Sequence, residues 1–180
     1  MHFSFLVALA VSCATVTTAS AMTVTVGARQ AGGRPLHPNG NTDWCVVPYD
    51  GGAPTPPTDT NAVIYPCAES NFTLWNFTEG ETEVQSVGAP NLCLKSWHTI
   101  FGHGDQPFGS YNGAGLRVAG CGSNTGDTPV TGWIVEGNRF RTAKSPNNQC
   151  LDLTGGVLDR GMGLQTWECT EGNTNQVWTF

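Results

Sequence analysis

Four side chains in the last thirty or so residues are of the types that grip a polyhydroxylated ring: Asp152, Gln165, Trp167 and Asn175. A carboxylate accepts from two vicinal hydroxyls at once, with charge-assisted strength. Primary amides set a donor beside an acceptor. A flat indole covers the C–H face of such a ring. The chemistry is non-covalent recognition of a sugar. Taken singly, each residue has a plainer reading. An aspartate after a strand is usually a solvated turn residue, and a tryptophan two positions before Cys169 can simply pack on a disulfide.

The elements that would hold these residues come from a repeat. The chain ends in Asn175-Gln176-Val177-Trp178-Thr179-Phe180, with weaker echoes at Thr73-Leu74-Trp75-Asn76-Phe77 and Thr131-Gly132-Trp133-Ile134-Val135. Cys67 precedes Trp75 by eight positions, Cys121 precedes Trp133 by twelve, and Cys169 precedes Trp178 by nine. A unit that recurs three times is read as threefold architecture before anything else. Of seven cysteines, Cys13 lies in the leader described below. Six cysteines permit many connectivities. One pair per repeat selects Cys45–Cys67, Cys93–Cys121 and Cys150–Cys169, each worth about 3 kcal/mol on the chain-entropy model.

Residues 3–11 are apolar apart from Ser4, and Ala19-Ser20-Ala21 is a small-x-small cleavage pattern. The expectation is a signal peptide over 1–21 and a secreted chain of 22–180, in a compartment where disulfides persist. No second run is long enough for a spanning helix, so membrane insertion is not expected. Charged residues are 12%, while glycine (23) and proline (11) are frequent. Such a composition favours turns and short strands. No apolar helical period runs for three turns, and short strands are expected at 22–26, 84–87, 133–135, 140–143 and 177–180. The net charge of −6 argues against nucleic acid, which needs a basic face.

These features resemble the ricin B-type lectin family, an all-β, pseudo-threefold β-trefoil of Gln-x-Trp repeats. Asn148-Gln149-Cys150-Leu151-Asp152-Leu153, Gly163-Leu164-Gln165-Thr166-Trp167-Glu168-Cys169 and Gly172-Asn173-Thr174-Asn175-Gln176-Val177-Trp178 match the family's third unit closely. The Gly-, Asn- and Thr-rich style is similar to that of secreted fungal members. The resemblance implies one β-trefoil domain over 22–180, with repeats at about 22–79, 80–136 and 137–180 and twelve short strands. It implies that Trp75, Trp133 and Trp178 share a core at the pseudo-threefold axis. It also implies that Asp152, Gln165, Trp167 and Asn175 contact sugar, with Gln176 buttressing the carboxylate, and that the sugar is galactose or a related glycan.

The other two units depart at the same positions. The first has Val47 for Asp152, Val63 for Gln165, Tyr65 for Trp167 and Phe72 for Asn175. The second has Lys95 in place of the carboxylate and Ala119 in place of the indole, with Arg117 nearby. Lys95 and Arg117 could hold an anion, but two exposed surface cations need no such purpose. One site, in the third unit, is therefore expected.

Two insertions add to the compact pattern. Residues 51–57 form a Pro/Gly loop, and 97–115 form a long aromatic and Gly-rich loop carrying His98, His103 and Asp105, whose spacing fits no zinc pattern. Asn71-Phe72-Thr73 and Asn76-Phe77-Thr78 are glycosylation sequons flanking Trp75 in an expected strand, so at most one would be used efficiently.

The function expected is binding of glycans or glycoproteins, without catalysis, cofactor or metal. A trefoil that binds proteins through its long loops, such as a protease inhibitor, is the alternative. It has no reason to carry the set at Asp152, Gln165, Trp167 and Asn175. An enzyme fits poorly: there is no Gly-x-Ser-x-Gly elbow, and His37, His98 and His103 have no persuasive nucleophile partner.

Overall fold

A computed structural model describes residues 32–54, 59–96, 111–122, 132–143 and 148–180. The expected strand at 22–26, the leader, and His98, His103 and Asp105 lie outside the described residues. The elements are β1 (Arg34–Pro35), β2 (His37–Pro38), β3 (Trp44–Tyr49), β4 (Thr60–Pro66), β5 (Leu74–Asn76), β6 (Gly80–Glu83), β7 (Gln85–Ser86), β8 (Leu92–Ser96), β9 (Ala114–Gly120), β10 (Gly132–Glu136), β11 (Arg139–Thr142), β12 (Gln149–Leu153), β13 (Met162–Glu168) and β14 (Trp178–Thr179). Single 3-10 turns occur at Cys67–Glu69, Thr154–Gly156 and Thr174–Gln176.

Fourteen strand segments stand among the described residues, against twelve strands expected. The excess has a local cause. β1 and β2 are one strand interrupted at Leu36, and β6 and β7 are one strand interrupted at Val84. Each interrupting carbonyl accepts from a neighbouring strand, from Val46 N at 3.0 Å and from Leu94 N at 2.8 Å. Turn chemistry links the segments. Asn39 and Gly40 both take left-handed φ, 46° and 74°, and Asn41 N closes the turn onto Pro38 O at 2.9 Å. This is the mirror-image hairpin turn that Asn-Gly favours.

Every pairing is antiparallel, and three hairpins repeat one register. Cys45 faces Tyr65 and Val47 faces Val63 across β3–β4. Cys93 faces Ala119 and Lys95 faces Arg117 across β8–β9. Cys150 faces Trp167 and Asp152 faces Gln165 across β12–β13. The inner strands of the hairpins pair with each other in a closed ring: Thr60 with Val118, Ala114 with Thr166, Met162 with Ile64. The pseudo-threefold relation is thus written in backbone pairing, and it makes Val47, Lys95 and Asp152 equivalent positions.

The core obeys the same symmetry. Trp75, Trp133 and Trp178 are at most 1% exposed and belong to one apolar cluster with Leu36, Leu94 and Leu151. Burying an indole strands its N–H unless an acceptor is supplied. Each Nε1 donates to a hairpin carbonyl: Trp75 to Val46 O at 3.0 Å, Trp133 to Leu94 O at 2.8 Å, Trp178 to Leu151 O at 3.1 Å. Each acceptor follows the first cysteine of its unit. The disulfides Cys45–Cys67, Cys93–Cys121 and Cys150–Cys169 tie the hairpins, as the repeat predicts.

Candidate functional site

The site forms on the outer face of the β12–β13 hairpin. Along β12, Leu151 and Leu153 turn into the core, so Cys150 and Asp152 face the other way by strand alternation. Asp152 is only 3% exposed. A buried carboxylate is costly unless hydrogen-bonded, and three amides satisfy this one. Gln165 Nε2 donates to Oδ1 at 2.8 Å, while Asn173 Nδ2 and Gln176 Nε2 donate to Oδ2 at 3.4 and 3.2 Å. Only the amide nitrogens can face a carboxylate, so the orientation of all three side chains is set by chemistry. Three of about four lone-pair positions are filled, leaving room for a hydroxyl donor at the open edge.

Gln176 is fully buried and fully used. Its nitrogen also donates to Glu168 O at 2.9 Å, and its Oε1 accepts from Thr170 N at 2.9 Å. It locks the turn after β13 and braces Asp152 in one stroke. Trp167, two residues beyond Gln165 on the same face, is 40% exposed and opposes Cys150. Beside a nearly closed carboxylate, it offers the open apolar surface of the site.

Asn175 sits apart from the cluster. The Asn173 side chain caps its turn, accepting from Asn175 N at 3.0 Å. The Asn175 amide lies on Gly156, whose φ is +68°; a Cβ there would stand 2.5 Å from Asn175 Oδ1. Glycine is needed at 156 both for that backbone conformation and for that contact. Asn175 also borders a cavity of about 190 Å³ with Asn39, Asn41, Leu158 and Thr174. The structure therefore joins Asp152, Gln165 and Gln176 by direct bonds, adds Trp167 on the same face, and places Asn175 at the rim. Sequence reasoning missed Asn173. Its signal was Gly172-Asn173 opening the last turn, a capping pattern that also occurs without function.

The equivalent positions elsewhere are filled differently. In the first unit Val47 and Val63 form a small apolar cluster with the Cys45 sulfur, closed by Tyr49 and Tyr65. Arg160 lies over the Tyr65 ring, 5.2 Å from its centroid, and makes a two-pronged pair with Glu69. That pair holds the Glu69 carboxyl below the usual range. In the second unit Lys95 is 1% exposed and Arg117 pairs with Asp59 at 3.2 Å, which corrects the expectation of two exposed surface cations. Burial pushes the Lys95 ammonium down from its ordinary value, while Glu83 and Asp59 act to raise it.

Two sites of metal-binding composition, His37 with Cys45 and Cys67 and Glu83 with Cys93 and Cys121, consist mainly of disulfide sulfur, which offers no thiolate. Of the two sequons, Asn71 lies outside any strand in an exposed bend, whereas Asn76 is half-buried within β5 and pairs with Gln85. No helix among the described residues is long and apolar enough to cross a membrane.

Comparison with known proteins agrees with this architecture. A family model described as the ricin-type beta-trefoil lectin domain matches residues 38–178. Among solved structures, similarity extends to a mosquitocidal holotoxin (TM-score 0.58, 16% identity), covering 80% of this chain and 16% of the toxin's length. A designed threefold-symmetric protein, ThreeFoil, aligns with TM-score 0.53 at 12% identity, over 80% of this chain and 94% of that one. The β-trefoil lectin of the Vibrio vulnificus haemolysin/cytolysin, solved with N-acetyl-D-lactosamine bound, aligns with TM-score 0.51 at 19% identity, over 83% and 93%. At these identities the likeness is one of fold. No curated protein matches the chain.

Proposed function

The chain belongs to the ricin-type beta-trefoil lectin domain family, and from that premise we propose that it is a secreted, non-catalytic lectin with one working sugar site, in its third unit. Asp152 accepts from a sugar hydroxyl at its open edge, Trp167 stacks on the sugar's C–H face, and Gln165 and Asn175 supply amide contacts. Gln176 and Asn173 hold the carboxylate in place.

One observation carries the reading. The fold does not require a carboxylate at this position, because the equivalent Val47 fits the same hairpin with no polar partner. In the third unit an aspartate is instead buried to 3% exposure and served by three amides. Such an arrangement gains nothing for packing over a valine. It gains a fixed, oriented acceptor beside an exposed indole.

The sugar we propose is galactose or a galactose-terminated glycan; a related fold solved with N-acetyl-D-lactosamine makes that the first class to try. Export rests on the leader pattern at 1–21, with three disulfides supporting an oxidising destination. Asn71, in its exposed bend, is the better N-glycan acceptor.

A shallow water-open site should bind a monosaccharide with a dissociation constant of about 0.1 to 10 mM. Titration calorimetry with galactose, after a glycan array, tests the assignment. Asp152→Ala and Trp167→Ala should each lose binding while Val47→Ala keeps it. Wild-type affinity in Asp152→Ala would remove the site from the third unit.

A further inference from the structure

The face that carries Trp167 does not stop at the hairpin. Trp167 opposes Cys150, Cys150 opposes Arg141, and Arg141 opposes Ile134. Directly opposed residues in an antiparallel sheet point to the same side. One row of side chains therefore runs from the exposed indole on β13 across β12 and β11 to β10. Beside it, Arg139 opposes Glu136 on that same face. A groove of about 290 Å³ opens there, lined by Ile134, Glu136, Arg139, Arg141, Asn148 and Glu171, and it reaches the Cys150–Cys169 disulfide.

The groove has the chemistry of a sugar subsite rather than of an anion site. Its two guanidinium groups are offset by two carboxylates, so it has no net charge to attract an anion. Arg141 pairs with Glu136 at 3.3 Å, and Arg139 donates to Thr170 O at 3.0 Å. Each guanidinium has five N–H donors, so several remain for a ligand. Carboxylates accept from hydroxyls, and Ile134 with the disulfide supplies apolar surface for C–H groups. Arg141 is two strands from Trp167, about 10 Å at ordinary strand spacing. A monosaccharide seated on the indole does not reach that far; a second ring linked to it does.

We propose that this groove is a second subsite, which takes the next residue of a neutral oligosaccharide whose terminal sugar sits on Trp167. The proposal rests on the third-unit sugar site and deepens it from a monosaccharide reader to an oligosaccharide reader.

The test is calorimetric titration of galactose and of N-acetyl-D-lactosamine into wild type, Arg141→Ala and Glu171→Gln, with circular dichroism checking each fold. Wild type should bind the disaccharide about tenfold more tightly than galactose, the value of one added charge-assisted hydrogen bond. Arg141→Ala should bring the two sugars level while leaving galactose affinity unchanged. Glu171→Gln, at an exposed position, should narrow the gap without risk to folding. Equal wild-type affinity for the two sugars overturns the second subsite and leaves the Trp167 site standing, and so does a preference that survives both substitutions. Failure of wild type to bind either sugar overturns both readings.

Discussion

The β3–β4 and β12–β13 hairpins share a register, a disulfide and a tryptophan held from below, yet one is dry and the other polar. Val47 and Val63 in the first unit pack on cystine sulfur and two tyrosines. Asp152 and Gln165 in the third occupy the same two positions and bond to each other at 2.8 Å. The inward face is what the fold constrains. Val46, Leu94 and Leu151 are buried in one cluster, and their carbonyls each receive an indole N–H. The outward face is free to be apolar, cationic or acidic, provided that each choice is satisfied locally. A polar choice on that face is therefore informative in a way that a polar choice in the core would not be.

The comparison says that inward positions are interchangeable among units and outward ones are not. Its largest test is Trp75→Ala, Trp133→Ala and Trp178→Ala. Each should cost about 3–5 kcal/mol, since each empties an indole's volume from one core. Urea melts in which one variant is far milder than the others would break the threefold core.

Next in size is the conversion of one hairpin into the other. Asp152→Val with Gln165→Val rebuilds the first unit's pair in the third. Sugar binding should vanish, while stability changes by no more than about 1–2 kcal/mol, because both the buried carboxylate and one of its donors leave together. Asp152→Ala alone should cost about 1–3 kcal/mol, because it strands the Gln165 amide as well as those of Asn173 and Gln176. A double variant less stable than the single one in matched urea melts would mean that the carboxylate serves the fold.

The smallest effect belongs to the second unit. The folded-state pKa of Lys95 lies below its unfolded value, chiefly through burial. Between those two values the unfolded chain binds more protons, so stability rises as pH climbs through the folded value toward the ordinary lysine range. Lys95→Met lacks this term. The stability difference between wild type and Lys95→Met should shift in favour of wild type as urea melts are taken from neutral to alkaline pH, and a pH-independent difference would mean that Lys95 is solvated.

Residues close in sequence, or locked by the repeat, were legible from the chain alone. The three cysteine pairs follow from recurrence, one pair per repeat, while the shared core of the three tryptophans and the grouping of Asp152, Gln165 and Gln176 were what the resemblance to the ricin B-type family implied; a hairpin with a defined register then places fixed sequence distances at fixed spatial ones. Asn173 was not legible, since a capping asparagine looks alike with or without a carboxylate above it. Nor was the burial of Lys95. Lysine is by default a surface residue, and the carboxylates that act on it, Glu83 and Asp59, come from other strands and loops. The fourteen segments in place of twelve strands arise at Leu36 and Val84, whose carbonyls turn to the first hairpin strand of their own unit, at Val46 N and Leu94 N. The run of side chains from Trp167 to Ile134 likewise exists only after β10, β11, β12 and β13 have paired. By itself the sequence determined what each repeat must bury, because apolar periodicity and cysteine recurrence are local. Only the tertiary structure decided which polar side chains share a face, because that depends on register between strands distant in the chain.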